Sequence, residues 1–213
     1  MDFTKVEFRK YCLEKMAFTC KHNKLYRDKM VNRELISLFK DKIGLDVLLY
    51  WPLGLEADIR QALFEIRKRN RVYLPFMEEI SFKMVPFRLP LSRKKFGIFE
   101  AGNSIKNIKK IDVAIIPAVG IDKKLRRIGF GKGMYDRFFE KSKQDPYKVF
   151  IQSQLCYTEK NIGDAHDITC DLLITPRNKL LQKRVNNANR YFSREFYGSR
   201  KRSSRFFHFK ENF

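Results

Sequence analysis

A chain of 213 residues with 44% hydrophobic content is long enough for one full-sized core. Its 45 Lys and Arg against 24 Asp and Glu leave a formal charge of +21, a field that attracts nucleotides, other anionic small molecules or nucleic acid. No run approaches membrane-spanning length, and residues 1–10 are too charged for a signal peptide. Four cysteines without a C-x-x-C pair and three scattered histidines argue against a zinc site or a disulfide framework, so a reduced, cytoplasmic protein is expected.

In chain order, residues 4–19 predict a first helix and 32–42 a second, with Leu35, Ile36 and Phe39 on one face. The apolar run 46–51, ended by Pro52, reads as a buried strand. Helical spacing returns over 56–68 through Ile59, Leu63 and Ile66, and 71–75 reads as the next strand. Pro86 makes 82–88 an edge strand, because proline has no N–H for a ladder. Residues 113–119 form a strongly apolar strand leading to a glycine-rich loop, 134–141 a helix, and 148–154 and 171–175 two more strands, with Pro176 ending the compact part. Strands separated by helices require parallel crossovers, which points to an α/β fold.

The loop Arg127-Ile-Gly-Phe-Gly-Lys-Gly-Met-Tyr-Asp-Arg137 is the most informative stretch. Gly129, Gly131 and Gly133 remove every second side chain and allow successive N–H groups to turn toward one anion. Arg127, Lys132 and Arg137 add mobile positive charge, and Asp136 is the one acid, well placed for Mg²⁺ beside a phosphate. Met134 breaks the dinucleotide fingerprint and Gly133 breaks the P-loop pattern, so neither familiar motif fits. A Gly-rich turn that merely joins strand to helix is the bland alternative. Tyr135, Phe138 and Phe139, at i, i+3 and i+4, read mainly as core packing, with Tyr135 also next to the loop.

With this loop preceded by Gly120-Ile-Asp122, the chain resembles the 5-formyltetrahydrofolate cyclo-ligase family over about its first 176 residues. The family pattern R-[LI]-G-[YF]-G-x-G-Y-Y-D-R is met except at Met134. Lys5 and Arg9 match K-x-x-x-R; Tyr50, Pro52 and Glu56 match Y-x-P-x-x-x-E. Leu74-Pro75 and the segment 96–101 also match, except that Ala101 replaces a proline. His166-Asp167, Asp171 and Thr175-Pro176 match H-D-x-x-x-D-x-x-x-T-P, whereas Leu125 stands where a glycine is common.

The resemblance implies a three-layer α/β/α domain over residues 1–177, with a mostly parallel, Rossmann-like open sheet of the NagB–RpiA–CoA-transferase type. It implies a monomeric, ATP- and Mg²⁺-dependent enzyme that converts 5-formyltetrahydrofolate, polyglutamylated or not, to 5,10-methenyltetrahydrofolate with release of ADP and phosphate. ATP is expected at Lys5, Arg9 and the stretch Arg127, Ile128, Gly129, Phe130, Gly131, Lys132, Gly133, Met134 and Tyr135, and Mg²⁺ at Asp136 and Asp167. The folate is expected at Trp51, Glu56 and the loop residues from Phe130 to Met134, with Phe96 and Met84 as weaker candidates. Lys132, Arg127 and Glu56 carry the expected catalytic roles. Each also has an ordinary structural reading: a helix-dipole acid for Asp136 and Glu56, a turn cap for Asp167, core filling for Trp51, a solvated helix face for Lys5 and Arg9.

Residues 178–213 form a basic extension in which 199–210 interleave cations with aromatics. That pattern suits single-stranded nucleic acid, and an RNA-associated protein reusing a cyclo-ligase-like core is the alternative function. A solvated basic tail is the simpler reading.

Overall fold

The computed structural model describes residues 4–93, 99–104, 108, 110–142, 145–181 and 205–206. Its helices are α1 (Lys5–His22), α2 (Lys24–Leu38), α3 (Arg60–Ile66) and α4 (Met134–Lys141). The main sheet contains β1 (Asp46–Leu48), β2 (Arg71–Met77), β3 (Phe82–Pro86), β6 (Val113–Pro117), β9 (Tyr147–Ile151), β10 (Leu172–Ile174), β11 (Asn178–Leu181) and β12 (Arg205–Phe206). Two small ladders complete the set: β4 (Ser92–Arg93) with β5 (Phe99–Glu100), and β7 (Gly120–Ile121) with β8 (Arg127–Ile128).

The sheet order is β12-β11-β10-β9-β6-β1-β2-β3. Strands β10, β9, β6, β1 and β2 run parallel, while β3 is antiparallel to β2, β11 is antiparallel to β10, and β12 runs parallel to β11. Alternation along the strands splits the core into two layers. Val47, Leu49, Val113, Ile115, Val149 and Ile151 face Val31 and Leu35 of α2 and Leu63 and Ile66 of α3. Leu48, Ala114, Ile116 and Phe150 face the other way, toward Phe139 of α4. The expected α/β/α layering is therefore present, and Pro86 does lie on the edge strand β3.

Carboxylate and amide side chains stitch the amino ends of the strands together. Asp112 accepts from the Asp46 N–H, Asp171 from the Lys148 N–H, and Asn70 from the Leu45 N–H, at 2.8–3.0 Å. These are donors at the strand starts that would otherwise face the end of the sheet unsatisfied.

Helix α1 begins in a capping box: Thr4 Oγ1 accepts from the Glu7 N–H, and Glu7 returns to the Thr4 N–H at 2.8 Å. Phe8, Cys12 and Met16 bury one face of it against Val119, Ile128 and Cys156. The approach is close at Gly120, where a Cβ would stand 2.7 Å from the Phe8 ring. Cys12 and Cys156 are joined in a disulfide across 144 residues, which corrects the expectation that the cysteines are unpaired. A pairing between distant segments leaves no mark in local cysteine spacing, so the C-x-x-C argument could not detect it.

Other boundaries moved for local reasons. Helix α1 runs to His22, and α2 starts at Lys24, eight residues before the expected start at residue 32, and ends at Leu38. The expected helix over 56–68 contracts to Arg60–Ile66, because residues 53–56 form a turn in which Leu53 donates to the Glu56 carboxylate. A strand follows Pro176 rather than a tail: β11 pairs with β10. Residues 182–204 and 207–213, and with them most of the cation–aromatic segment, lie outside the described residues. Among the described residues no helix is long and apolar enough to cross a membrane.

Candidate active site

The site forms at the carboxyl ends of β1, β2 and β6, the end of an open parallel sheet where ligands gather. Strand β6 does not lead straight into the glycine loop, as the apolar run had implied. The β7–β8 hairpin intervenes and carries the chain back past α1. Buried Asp122 holds its turn by accepting from the Lys124 and Arg126 N–H groups at 2.9 Å and from Arg126 Nε at 2.8 Å. Leu125 takes φ 57, a left-handed conformation that costs about 1–2 kcal/mol for a residue with a Cβ.

From β8 the loop passes Gly131 at φ 99 and Gly133 at φ 59, and Gly133 is the N-cap of α4. The amide groups that begin α4 have no partner within the helix and present partial positive charge. Gly129 is glycine for another reason: a Cβ there would lie 2.9 Å from Arg127 Cζ, because the Arg127 side chain folds beneath the loop. That guanidinium is buried, donates from Nε to the Pro117 carbonyl at 2.9 Å, approaches Asp136 Oδ2 at 3.4 Å and covers the Tyr135 ring at 5.0 Å.

Two cavities lie on opposite sides of this loop and share Gly133. The first, of about 390 Å³, is lined by Lys5, Arg9, the three loop glycines, Asp136, Arg137, His166 and Asp167. Arg9 Nε donates to the Gly129 carbonyl at 2.8 Å, pinning α1 to the loop. Lys5 Nζ lies 2.6 Å from both Asp164 Oδ2 and Asp167 Oδ2, so Lys5 and Arg9 lie on one face of α1, turned toward this cavity. Burial pulls the Lys5 ammonium down, but the hydrogen bonds to Asp164 and Asp167 outweigh it and leave its pKa raised.

Asp136 and Asp167 are both buried and both border this cavity. Asp136 Oδ1 accepts from the Ile168 N–H at 3.4 Å, which ties α4 to the segment carrying Asp167. Asp164, His166 and Asp167 bring one ligand atom each within 4.8 Å of one another. Carboxylate oxygens in this number fit Mg²⁺, which takes one or two protein carboxylates and completes its shell with phosphate and water.

The second cavity, of about 170 Å³, is walled by aromatic and aliphatic groups: Tyr50, Trp51, Met77, Phe82, Phe99 and Phe130, with Arg127, Lys132, Met134 and Tyr135 on the loop side. Trp51 stands 6.2 Å from the Phe87 ring and 6.4 Å from Phe99, with Arg60 above it at 5.8 Å. Glu56 is the acid of this cavity. It sits in the turn before α3 rather than on the helix, so a helix-dipole role does not apply. It is buried, and burial pushes its carboxyl up to about 7 against the opposing Leu53 N–H, Arg127 and Lys24. Burial and the nearby Glu56 charge also raise the Tyr135 phenol.

The residues singled out in the sequence thus divide between the two cavities. Gly129 and Gly131 face the first, while Phe130, Lys132, Met134 and Tyr135 face the second. Ile128 faces neither and packs under α1. Met84 is buried among core residues rather than in the cavity wall, and Phe96 lies outside the described residues. Phe138 and Phe139 pack in the core, Phe138 stacked on Phe82 at 4.3 Å. Sequence reading missed Asp164, whose only signal is its place three residues before Asp167. It also missed Met77 and Phe82, whose strand periodicity reveals burial but not that they border a cavity.

The model of the 5-formyltetrahydrofolate cyclo-ligase family matches residues 3–176. A 5-formyltetrahydrofolate cyclo-ligase of Mycoplasma pneumoniae is 27% identical over 167 residues, 78% of this chain and 94% of the relative. That of Haemophilus influenzae is 25% identical over 148 residues, 65% of this chain and 79% of the relative. Among solved structures, Aquifex aeolicus 5,10-methenyltetrahydrofolate synthetase superposes with a TM-score of 0.71 at 28% identity, covering 85% of this chain and 94% of that one.

Proposed function

The chain belongs to the 5-formyltetrahydrofolate cyclo-ligase family, and from that premise we propose that it closes 5-formyltetrahydrofolate to 5,10-methenyltetrahydrofolate while ATP becomes ADP and phosphate. The observation that carries this reading is the one-residue partition: Gly133 belongs to both a cationic, carboxylate-bearing cavity and an aromatic one. A γ-phosphate on one side and a formyl oxygen on the other would meet at the loop.

Phosphorylation of the formyl oxygen makes it a leaving group. N10 then attacks the formyl carbon, the N10 proton is lost, and phosphate departs as the ring closes. In such a transfer the protein mainly positions the reactants and neutralises charge. Lys5, Arg9 and the amide groups opening α4 would bind the phosphates. Asp136 and Asp167, with Asp164 beside them, would hold Mg²⁺, which screens phosphate charge when bound. Trp51 and Phe99 offer flat faces to the fused ring and the aminobenzoate. Glu56 as a carboxylate would accept from folate N–H groups and favour the cationic methenyl product. Lys132, beside Gly133, would reach the transferring group.

The test is the appearance of methenyltetrahydrofolate absorbance from 5-formyltetrahydrofolate with Mg²⁺ and ATP. Absence of turnover by folded protein at saturating substrates would overturn the reading.

A further inference from the structure

Arg137 borders the first cavity, and a free guanidinium there would be one more phosphate ligand. Its hydrogen bonds point elsewhere. Nε donates to the Ile80 carbonyl at 2.5 Å, and Nη2 donates to the Lys132 carbonyl and lies 3.5 Å from Met134 Sδ. The same guanidinium packs on Gly133, where a Cβ would stand 2.8 Å from Nη1. Ile80 belongs to the turn between β2 and β3, closed by the Glu78 N–H donating to the Ser81 carbonyl at 2.9 Å. That hairpin supplies Leu74, Pro75, Met77 and Phe82 to the second cavity, and Phe82 also lies against Tyr135 of α4.

We propose that Arg137 is a positioning residue that clamps the glycine loop to the β2–β3 turn and so aligns the two cavities on their shared wall. The planar fork points Nε at one carbonyl, Nη2 at a second on a separate segment and Nη1 at Gly133, three fixed directions that a point-like ammonium does not reproduce. Without it, the loop would keep its anchor at Gly129, and α4 its aromatic contacts with Phe82, but the loop would lose its hydrogen-bonded tie to the turn of the hairpin. Both ligands would then meet a displaced wall. The inference rests on the cyclo-ligase reading only for the identity of those ligands.

The test uses the full chain with Arg137→Lys and Arg137→Gln. Both variants are expected to raise KM for ATP and for 5-formyltetrahydrofolate by about tenfold each, since a misplacement on the ångström scale costs that much or more. Lysine does not rescue. Amide hydrogen exchange at residues 129–134 is expected to speed up about tenfold in the ligand-free variants. A phosphate-ligand role predicts the opposite pattern: a rise confined to ATP and restored by lysine. That pattern, wild-type kinetics in Arg137→Lys, or unchanged exchange overturns the proposal. If Arg137→Gln does not fold, Arg137→Lys carries the test alone. If the wild type turns over no folate, the cyclo-ligase reading fails by itself, because the exchange measurement needs no substrate.

Discussion

Arg127 and Asp136 meet at 3.4 Å with both side chains buried, one facing the aromatic cavity and the other the cavity lined by Lys5 and Arg9. A buried guanidinium deprived of its carboxylate is left as an uncompensated charge. Asp136→Asn is therefore expected to lower the unfolding free energy by about 3 kcal/mol. It should also slow turnover by about a hundredfold or more, as losing a charge-stabilising group does. Denaturant unfolding and the absorbance assay separate the two effects. A variant that is less stable but fully active when folded would confine Asp136 to structure.

The space beneath Gly129 is filled by Arg127. Gly129→Ala must displace that guanidinium from the Pro117 carbonyl, and a fall in kcat/KM of at least about tenfold is expected. Gly54 has nothing within 4 Å of an added Cβ, so Gly54→Ala serves as the comparison and should behave as wild type.

Glu56 sets a pH dependence whose sign follows from its raised pKa of about 7. Between the unfolded value near 4.5 and about 7, the folded protein retains a proton that the unfolded chain has lost. Stability contributed at this position is therefore full at low pH, declines as pH rises through that window, and levels off above it. The decline amounts to about 3 kcal/mol. Unfolding free energies of wild type and Glu56→Gln, measured from pH 4 to pH 8, should diverge by this much. Parallel curves would show that the carboxyl is not held in a desolvated state. Folate affinity should move oppositely, strengthening as the carboxylate forms.

The disulfide closes a loop of 144 residues between α1 and the segment after β9. In the chain-entropy model, opening so long a loop costs about 4–5 kcal/mol. Unfolding of the oxidised protein should therefore shift by that amount on full reduction or in the Cys12→Ser, Cys156→Ser double variant. Cys170 is buried and unbridged, and Cys170→Ser reports the cost of a polar group at a core position without any change in cross-linking. Equal effects of the two changes would show that the cross-link contributes nothing beyond packing.

Legibility in the sequence followed the range of the interactions. Helix α4 was read with its boundaries intact because the loop glycines and the aromatic stripe are local signals. Strands β6 and β10 stand out because burial on both faces makes them continuously apolar, and β9 does so despite Lys148. Helix α2 was found only in its second half, since residues 24–30 offer Leu25 and Tyr26 to solvent and carry no periodic face. Lys5 and Arg9 look like a solvated surface until α1 is docked against the loop. The division of labour between the cavities was invisible, because alternate loop residues turn to opposite sides only once Gly131 and Gly133 adopt positive φ. In the sequence Arg137 is one more cation beside the glycines, and only the fold shows it committed to Ile80, Lys132 and Gly133.

At the opposite end of the sheet, Asp112, Asp171 and Asn70 each accept from the N–H of a neighbouring strand's first residues. A one-residue slip of any of those strands would turn its N–H away and set a carboxylate or amide oxygen against a carbonyl, besides reversing every side chain. Strand alignment is thus encoded by polar groups remote from the two cavities. The loops at the functional end are accordingly free to vary in length and composition without putting the register of the sheet at risk.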